Sequence, residues 1–412
     1  MELIVERCAG LDVGKDEVVA CVRTPSPSGR GRCSELRTFV TFTSGLEELA
    51  DWLGASGVTE VVMEATGQYW KPIWYVLEAR RFELRLVNAR HVKMVPGRKS
   101  DLADAAWLAQ LLEHGLLAGS FVPPAPIREL RDLTRYRKRL IQNHASEQQR
   151  VQKVLEDAGI KLDSVAADVL GMSGRAMLRA LIAGQRDPDT LAELAKGRLR
   201  KKMPLLREAL RGRFNEHHAV MLGVILDHVD YLERAIAALD VEIDRVITPF
   251  SQARDRLDTI PGVAKRAAEC IIAEIGVDMT RFPTAAHLAS WAGVCPGTNI
   301  TGGRQRSGRT TRGSRWLGEI LAECAAAASH CRDTYLAAQY WRLRRRMGHR
   351  KAAIAVGHSI LVICWHLLNT NCDYHDLGGD WFVRRTDTDK RRDHLIRQLQ
   401  DLGYGVRLSK VA

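Results

Sequence analysis

The stretch VERCAGLDVGKDEVVACVR, residues 5–23, decides the fold at the start of this chain. Two short apolar runs, 5–13 and 17–23, are separated by Gly14-Lys15-Asp16, a pattern typical of a β-hairpin. Asp12 interrupts the first run, although aspartate is disfavoured in strands. An acid inside an apolar strand indicates a functional site there.

The next residues predict an alternating α/β unit. Ser44 and Glu47 have the spacing of a capping box at the start of its first helix. The predicted elements are a strand over 37–42, a helix after Ser44, a strand over 60–65, a helix over 68–81 and a strand over 83–87.

Three further acids lie at predicted element ends. Glu64 closes an apolar strand, where an unpaired buried carboxylate would be costly, so a site at the sheet edge would explain it. Ser100 is the predicted N-cap of a helix that carries Asp101 and Asp104 on one face of its first turn. Ordinary enrichment of acids at helix starts is the alternative explanation for this last pair.

Together, Asp12, Glu64, Asp101 and Asp104 predict a site for a hard divalent cation. Carboxylate oxygens suit Mg²⁺, with Mn²⁺ as an alternative, and such ions promote phosphoryl transfer. The order of hairpin, strand, helix, strand and acid-bearing helix is that of the ribonuclease-H-like fold. Spacing alone does not require the four acids to converge.

Charge favours nucleic acid as the partner. The 412 residues carry a net charge of +12, and their hydrophobic content of 46% excludes disorder of the whole chain. Between Arg304 and Lys351, twelve basic residues stand against three acidic ones. Clustered arginines suit a phosphate backbone, although a solvated basic surface has the same composition.

Other classes of protein are disfavoured. The nine cysteines include no Cys-x-x-Cys pair, so neither a disulfide framework nor a zinc ribbon is expected. No run approaches the roughly 18 uninterrupted apolar residues of a membrane span, and no signal peptide is recognisable. We therefore expect a cytoplasmic protein without membrane partners.

The middle of the chain predicts long helices. One of about thirty residues begins near Arg128, after a proline-rich boundary, and a second spans roughly 214–250. They can pair as an antiparallel coiled coil or dimerise between chains. Shorter helices are expected over 163–213, where the basic run 196–202 is either a nucleic-acid contact or a solvated turn.

Two C-terminal motifs suit phosphate binding. Residues 257–276 read as a helix-hairpin-helix whose turn contains Pro261 and Gly262, and the glycine would let backbone N–H groups approach a phosphate. A structural turn between helices is the alternative. Residues 289–321 alternate glycines, hydroxyls and arginines, as expected for a hydroxyl nucleophile beside guanidinium groups or for a phosphate-binding loop without chemistry.

These motifs resemble those of the DEDD transposases of bacterial insertion sequences, which are related to the Piv DNA invertases. The resemblance rests on GLDVGKD at 10–16, VMEATGQYW at 62–70, KSDLADA at 99–105, TIPGV at 259–263 and AGVCPGTNITGGRQRSGRTTRGSRWL at 292–317. It implies a RuvC-like N-terminal domain, a coiled coil and a C-terminal helical transposase domain, assembled as a dimer of dimers. It also implies a structured bridge RNA that pairs with donor and target DNA. The corresponding domains are 1–127, 128–250 and 251–350, followed by a helical extension over 351–412.

The resemblance also assigns roles to residues. The family's four acids fall on Asp12, Glu64, Asp101 and Asp104, and its serine nucleophile, which forms a covalent protein–DNA intermediate, falls on Thr301. This departure leaves Ser307 as an alternative nucleophile, or a disabled chain. Predicted nucleic-acid contacts are Pro261, Gly262, Arg304, Arg306, Arg309, Arg312, Arg315, Arg344, Arg345 and Arg346.

The expected function is an RNA-guided DNA recombinase that joins the nucleoid when acting. A RuvC-like nuclease or junction resolvase, which cuts with metal-activated water and forms no adduct, is the alternative enzyme. A non-enzymatic RNA- or DNA-binding protein is the alternative without chemistry.

Overall fold

A computed structural model describes residues 3–27, 31–88, 101–296, 300–305, 310, 313–384 and 388–409, with only the backbone described for 101–103, 300, 301, 305 and 388–391. The chain divides into two compact units, Met1–Val122 and Pro123–Ala412. The elements of the N-terminal unit are β1 (Cys8–Val13), β2 (Glu17–Pro25), β3 (Arg32–Val40), α1 (Thr43–Ala55), β4 (Glu60–Glu64), α2 (Trp70–Ala79), β5 (Glu83–Val87) and α3 (Asp101–Glu113).

The N-terminal unit is built on a five-stranded mixed sheet in the order β3-β2-β1-β4-β5. The β1–β2 and β2–β3 pairs are antiparallel, whereas β4 runs parallel to both β1 and β5. Parallel neighbours require crossover connections, and α1 and α2 provide them. The predicted α/β order is therefore confirmed for this unit.

Helices cover both faces of this sheet. Leu11 and Met63 face the layer that contains α1 and α2, where they join Leu49 and Leu77 in one apolar core. Residues of the opposite face, such as Cys8, pack in a second core with the apolar side of α3. Because successive strand residues alternate between faces, Gly10 and Asp12 also face α3.

Gly10 is the point of closest approach between the sheet and α3. A Cβ atom at this position would lie 2.3 Å from the carbonyl oxygen of Ala105 and 2.4 Å from the amide nitrogen of Ala109. Both are backbone atoms, so no side-chain movement could relieve the contact. The absence of a side chain at Gly10 therefore sets how closely α3 packs on the sheet.

The predicted capping box at Ser44 is wrong. Helix α1 begins at Thr43, and its N-cap is Phe42, whose side chain makes no capping hydrogen bond. An N-cap residue needs extended backbone angles, and Phe42 has them with φ −68° and ψ 154°. Since β3 ends at Val40, two residues before the predicted end, the chain enters the helix before Ser44. The other predicted cap, Ser100, lies outside the described residues.

The C-terminal unit is helical apart from one small hairpin in its described residues. Its α-helices are α4 (Ala125–Asp157), α5 (Met172–Ile182), α6 (Pro188–Glu193), α7 (Met203–Ala209), α8 (Glu216–Val246), α9 (Ser251–Asp258), α10 (Lys265–Ile275), α11 (Ala285–Trp291), α12 (Arg315–Ala328), α13 (Tyr335–Met347), α14 (His349–Thr370), α15 (Trp381–Arg384) and α16 (Thr388–Asp401). The hairpin strands are β6 (Ile300–Thr301) and β7 (Arg304–Gln305). Short 3-10 helices span Leu162–Ser164, Gly197–Lys202, Thr248–Phe250 and Met279–Arg281.

The two long helices, α4 and α8, pair antiparallel within the chain. Three side-chain pairs show this direction, because the residue number falls along α8 as it rises along α4: Arg137 with Asp240, His144 with Glu233, and Glu147 with His228. Of the two predicted arrangements, the pairing within one chain is the one observed. Pro126, expected to precede the helix, lies in its first turn, where proline is tolerated.

Short helices close one end of this pair. The ends of α4 and α8 share an apolar core with α5, α6 and α7, which includes Val151, Met177, Leu191 and Leu226. The shorter helices predicted over 163–213 are thus confirmed, and the basic run 196–202 is almost entirely the 3-10 helix Gly197–Lys202.

Helix α14 is the one described helix long and apolar enough to cross a membrane, by length and composition only. Half of its apolar window is buried inside the protein. Gly357 packs on Leu321 of α12, and the indole N–H of Trp365 donates to the carbonyl oxygen of Phe282 at 2.9 Å. These contacts are those of a core helix in the C-terminal unit.

Replacing Gly10 with alanine should destabilise the protein by about 1–3 kcal/mol, because the added methyl group overpacks a backbone contact. Gly54→Ala is the matched control, since Gly54 lies near the end of α1 with open space around it. That change should be neutral or stabilise by up to about 0.5 kcal/mol. Urea unfolding measures both, and equal stability of the two variants would contradict the packing argument.

Candidate functional site

Asp12 and Glu64 lie side by side at one edge of the sheet. Leu11 of β1 pairs with Met63 of the parallel strand β4, so the next residues along, Asp12 and Glu64, are neighbours on the same face. Adjacent strands are about 4.8 Å apart, which brings their carboxylates within reach of a shared ligand. Both residues are half-buried. The register of the sheet therefore joins two of the four predicted acids.

The start of α3 lies opposite these two acids. The thiol of Cys8 donates to the carbonyl oxygen of Ala109 at 3.4 Å, and Gly10 packs on Ala105. A step of two residues along β1, from Cys8 to Gly10, therefore moves the contact on α3 back by about one helical turn, from Ala109 to Ala105. The next step along β1 brings Asp12 opposite the first turn of α3.

That first turn begins at Asp101 and contains Asp104. The amide groups of a first turn point outward with partial positive charge, which favours carboxylates and other anions nearby. Asp104 is half-buried, whereas only the backbone of Asp101 is described. The packing thus places the first turn of α3, which contains Asp101 and Asp104, over the face of the sheet that carries Asp12 and Glu64.

The fit to a metal ion rests on the donor chemistry and on the Asp12–Glu64 neighbourhood. Among the side chains that the structure describes, no three His, Cys, Asp or Glu residues are grouped so that they could hold an ion. Asp12, Glu64 and Asp104 belong to that set and do not form such a group, whereas the side chain of Asp101 lies outside it, so the four-acid site stays a prediction. Carboxylate oxygens on rigid strand ends suit a hard cation such as Mg²⁺.

Glu113, which the sequence analysis missed, fixes the other end of α3. Its side chain is 3% exposed and forms ion pairs with Arg23 of β2 and Arg32 of β3. A buried carboxylate needs such partners, because desolvation without them is costly. In the sequence, the one indication of this role is an acidic residue at the end of the apolar run of α3.

The loop between α11 and α12 carries the predicted nucleophile. Its two ends meet at Gly313, where a Cβ atom would lie 1.9 Å from the carbonyl oxygen of Ala292. A β-bridge between Pro296 and Thr310 lies further along the loop. The glycine therefore permits the close approach that holds the base of the loop together.

Thr301 is the last residue before a two-residue hairpin turn. Gly302 and Gly303 have φ values of +57° and +73°, and Thr301 pairs with Arg304 across the turn. Two consecutive positive φ values are those of a type I′ turn, which glycine pairs favour in tight hairpins. The Gly-Gly pair was the signal that the sequence analysis did not use. Four predicted residues of this loop lie outside the described residues: Arg306, Ser307, Arg309 and Arg312.

A buried carboxylate holds the C-terminal base of this loop. Glu274 at the end of α10 accepts two hydrogen bonds from Arg135 of α4, at 2.7 and 2.9 Å. Its Oε2 atom also accepts one from the hydroxyl of Ser314 at 2.9 Å. Ser314 is the N-cap of α12 and accepts from the amide of Leu317. The three helices that support the loop are therefore tied to one carboxylate.

Arg131 adds a second tie between α4 and α10. Its guanidinium donates to the carbonyl oxygens of Ala273 and Glu274 at 2.8 and 2.7 Å. These carbonyls belong to the last turn of α10, where helical partners are missing. Burial lowers the pKa of Arg131 to about 10, and the side chain still stays charged at neutral pH. Neither tie was predicted, because each joins residues about 140 positions apart.

The helix-hairpin-helix motif is present as α9, a tight turn and α10. Gly262 has a φ of +87°, and a Cβ atom there would lie 2.5 Å from backbone atoms of Cys324 and Ala328 in α12. Helix packing thus explains the glycine, which favours the alternative of a structural turn between helices over the predicted approach to a phosphate. Contact of Pro261 and Gly262 with nucleic acid stays a prediction.

The remaining predicted basic contacts are exposed. Arg304 follows the hairpin turn, and Arg315 pairs with Glu319 at 2.7 Å in the first turn of α12. Arg344, Arg345 and Arg346 lie in the last turn of α13. Their positions leave them accessible to a polyanion.

Replacing Glu274 with glutamine should cost about 2 kcal/mol of stability, because Arg135 then faces an amide N–H₂ group and lacks its counter-charge. Partial exposure of Arg135 reduces the penalty. Glu323→Gln is the matched control, since Glu323 is exposed and pairs with Lys138, another residue of α4. The control should change stability by less than about 1 kcal/mol. Thermal unfolding compares the variants, and equal effects would count against a special role for Glu274.

Comparison with known families matches two parts of the chain. Residues 9–160 match a transposase model of the IS110 DEDD type, and residues 254–342 match the transposase model of the IS116/IS110/IS902 family. The first match includes Asp12, Glu64, Asp101 and Asp104, and the second includes Thr301.

Two curated relatives are also similar. The insertion element IS110 uncharacterized 43.6 kDa protein of Streptomyces coelicolor is 30% identical over 141 residues, which cover 33% of this chain and 34% of the relative. The insertion element IS900 uncharacterized 42 kDa protein of Mycobacterium paratuberculosis is 27% identical over 215 residues, 47% of this chain and 53% of the relative. The chain thus spans about a third of one relative and half of the other. Both family matches are to transposase domains of the IS110 type of insertion sequence, and the chain is similar to them over residues 9–160 and 254–342.

Proposed function

We propose that this chain is an insertion-sequence transposase that cuts and exchanges DNA strands through a hydroxyl nucleophile and a carboxylate metal site, guided by a bridge RNA. The observation that carries the proposal is the neighbourhood of Asp12 and Glu64, opposite the first turn of α3. The register of β1 and β4 places both carboxylates at the ends of rigid apolar strands, and carboxylate oxygens are the ligands that a hard divalent cation prefers. The similarity to IS110-type transposase domains supports the reaction class of DNA strand transfer.

In this proposal the acids would hold a divalent metal ion. Asp12 and Glu64 would bind Mg²⁺ or Mn²⁺, with Asp101 and Asp104 completing the oxygen ligands. When bound, such an ion stabilises negative charge on a phosphate and makes an attacking hydroxyl more nucleophilic. The sheet keeps Asp12 and Glu64 in place through the β1–β4 ladder, and the Gly10 contact keeps α3 close to them.

Thr301 supplies the nucleophile in this proposal. Its hydroxyl oxygen attacks a DNA phosphorus, its proton passes to solvent, and the phosphodiester bond that breaks releases a DNA hydroxyl. The product is a phosphodiester between Thr301 and DNA, which a second DNA hydroxyl can later attack to rejoin the strand. The β-methyl group restricts the rotamers of threonine, so a slower reaction than with serine is expected. Ser307 is the alternative nucleophile.

Arginines position the DNA backbone. Arg304 pairs with Thr301 across the hairpin turn, so an arginine lies directly opposite the proposed nucleophile in the two-stranded ladder. We assign phosphate binding to it and to Arg306, Arg309, Arg312 and Arg315, with Pro261 and Gly262 as backbone contacts. Arg344, Arg345 and Arg346 add a second basic surface. Such contacts weaken steeply as salt rises, because each one releases condensed counterions.

A bridge RNA chooses the DNA sites, and a dimer of dimers brings donor and target together. The support is the resemblance to the DEDD transposases together with the net charge of +12, which suits a protein that binds two kinds of nucleic acid. Base pairing then carries sequence choice, while the protein reads backbone shape and charge. The reaction takes place in the cytoplasm, at the nucleoid.

A metal-dependent nuclease or junction resolvase is the second candidate. The observation that favours it is threonine at the position of the family's serine. In that case water attacks the phosphate, and no covalent adduct forms. The two candidates share the acids and differ in the need for Thr301.

Asp12→Asn should reduce DNA cleavage on the order of 100-fold or more, since it removes a charged ligand from the metal site. Asp16→Asn is the control, because Asp16 lies exposed in the turn between β1 and β2. The control should cleave normally, and thermal unfolding should show both variants folded. Labelled donor DNA cut in Mg²⁺ on a denaturing gel reports the result. Normal cleavage by a folded Asp12→Asn protein would exclude the proposed role.

Thr301→Ala should abolish a protease-sensitive protein–DNA adduct, whereas Thr301→Ser should form it faster, because serine keeps the hydroxyl without the crowding methyl group. The assay combines protein, co-expressed RNA, labelled donor and target DNA and Mg²⁺, with and without protease. Ser307→Ala should leave the adduct intact, and omission of the RNA should remove it.

Each other outcome identifies an alternative. An adduct that depends on Ser307 moves the nucleophile to that residue. Cleavage without any adduct, unaffected by Thr301→Ala, identifies the metal-dependent nuclease. An adduct that forms only in Thr301→Ser identifies a disabled member of the family. An adduct that forms equally well without RNA argues against RNA guidance.

A further inference from the structure

Helix α13 and the start of α14 form a strongly basic surface without carboxylates of their own. No Asp or Glu occurs from 334 to 372, whereas this stretch contains Arg342, Arg344, Arg345, Arg346, Arg350 and Lys351. The last three arginines of α13 are exposed. The partner of this surface is therefore expected to be an anion.

Trp341 stands within this basic surface in a fixed orientation. It is 44% exposed, and its indole N–H donates to the carbonyl oxygen of Ser329 at 3.0 Å. Its ring also meets the buried ring of Tyr340 edge to face, with centroids 5.5 Å apart. The hydrogen bond and the buried neighbour hold the indole in place, although nearly half of the residue is open to solvent.

Arg344 lies over the Trp341 ring. Its guanidinium carbon is 4.8 Å from the ring centroid. In the helix these residues are three apart, so they share one face of α13. Arginine over an aromatic ring is an arrangement that also stacks on nucleobases, since bases and guanidinium groups are both flat and delocalised.

Phe382, a second aromatic residue beside an arginine of α13, contrasts with Trp341 because its ring is contacted by other side chains of the protein. Phe382 is stacked on Tyr335 at 5.1 Å and lies under Arg342, whose guanidinium carbon is 4.2 Å from the ring centroid. Its ring is thus engaged by two side chains of the protein itself. Trp341 has a comparable arginine but keeps a large exposed surface.

We propose that Trp341 and Arg344 form a stacking site for an unpaired nucleotide, with Arg345 and Arg346 binding the adjoining phosphates. An unpaired base needs a flat apolar surface and its backbone needs cations, and this surface offers both within about one and a half turns of α13. A protein partner would find the same aromatic ring but would need a strongly acidic surface to match the charge. The site deepens the proposed function, because a guided transposase handles single strands, and either RNA or displaced DNA can supply them.

Binding of short oligonucleotides tests the proposal. The full chain, stripped of RNA in high salt, is titrated into labelled oligouridine RNA, oligothymidine DNA and a mixed-sequence duplex, each of about 12 nucleotides per strand. No Mg²⁺ is added, so no cleavage takes place. Trp341→Ala should weaken binding to single strands about tenfold, the usual effect of losing one base stack, and change duplex binding less than about twofold.

Conservative variants separate stacking from folding. Trp341→Phe keeps an aromatic ring and should retain most of the wild-type affinity for single strands. Arg344→Lys should bind single strands more weakly than the wild type, because lysine lacks a planar group. Tyr231→Ala removes an aromatic side chain of similar exposure from α8 and should leave the affinity for single strands and for the duplex unchanged. Thermal unfolding verifies that each variant is folded.

Three results would overturn the proposal: unchanged single-strand affinity in Trp341→Ala, an equal loss for duplex and single strands, or no difference between Trp341→Phe and Trp341→Ala. A larger loss for RNA than for DNA supports an RNA strand as the occupant, and the reverse supports displaced DNA. Because no chemistry takes place, failure of the Thr301 adduct experiment leaves this result intact, and a negative binding result leaves the adduct experiment intact.

Discussion

The packing of α3 on β1 at Gly10 is the contact on which the candidate metal site depends. Carbonyl and amide groups of the helix lie where any side chain at Gly10 would stand, so the helix is fixed against the strand that ends near Asp12. Glu113 fixes the far end of α3 through Arg23 and Arg32. One helix is thus held at two points, and its first turn stays opposite the two acids of the sheet. Rigid strand and helix ends suit a site that must keep several carboxylates in place despite their repulsion.

A second carboxylate has a similar role in the C-terminal unit. Glu274 joins Arg135 of the long helix α4 to Ser314, the N-cap that ends the loop with Thr301. Gly313 closes the loop base against Ala292. The hairpin that presents Thr301 is therefore exposed at its turn and anchored at its base. Loops positioned by a rigid scaffold commonly carry chemistry, and this arrangement supports a nucleophile on the loop.

The order of the N-terminal elements was predictable because each strand and helix has a strong local pattern. Asp12 and Glu64 were recognisable as acids in apolar strands, and the resemblance to DEDD transposases placed them among known site residues. Capping and packing were less predictable. Ser44 had the right neighbours for a capping box, yet β3 ends early and the helix starts before it. Gly262 seemed suited to phosphate contact, yet its missing side chain serves contact with α12.

By itself, the sequence determined the sheet-forming and helix-forming segments, the concentration of charge after residue 304 and the similarity to transposases, because these depend on neighbouring residues and on matched motifs. Only the tertiary structure decided that β1 and β4 are adjacent and in register, that α4 and α8 pair within one chain, and that Glu113 and Glu274 are buried with arginine partners. The physical reason is that the deciding contacts join residues far apart in the sequence. Whether a carboxylate stabilises the fold or binds a metal depends on which distant groups bury it and pair with it. Local sequence does not contain that information.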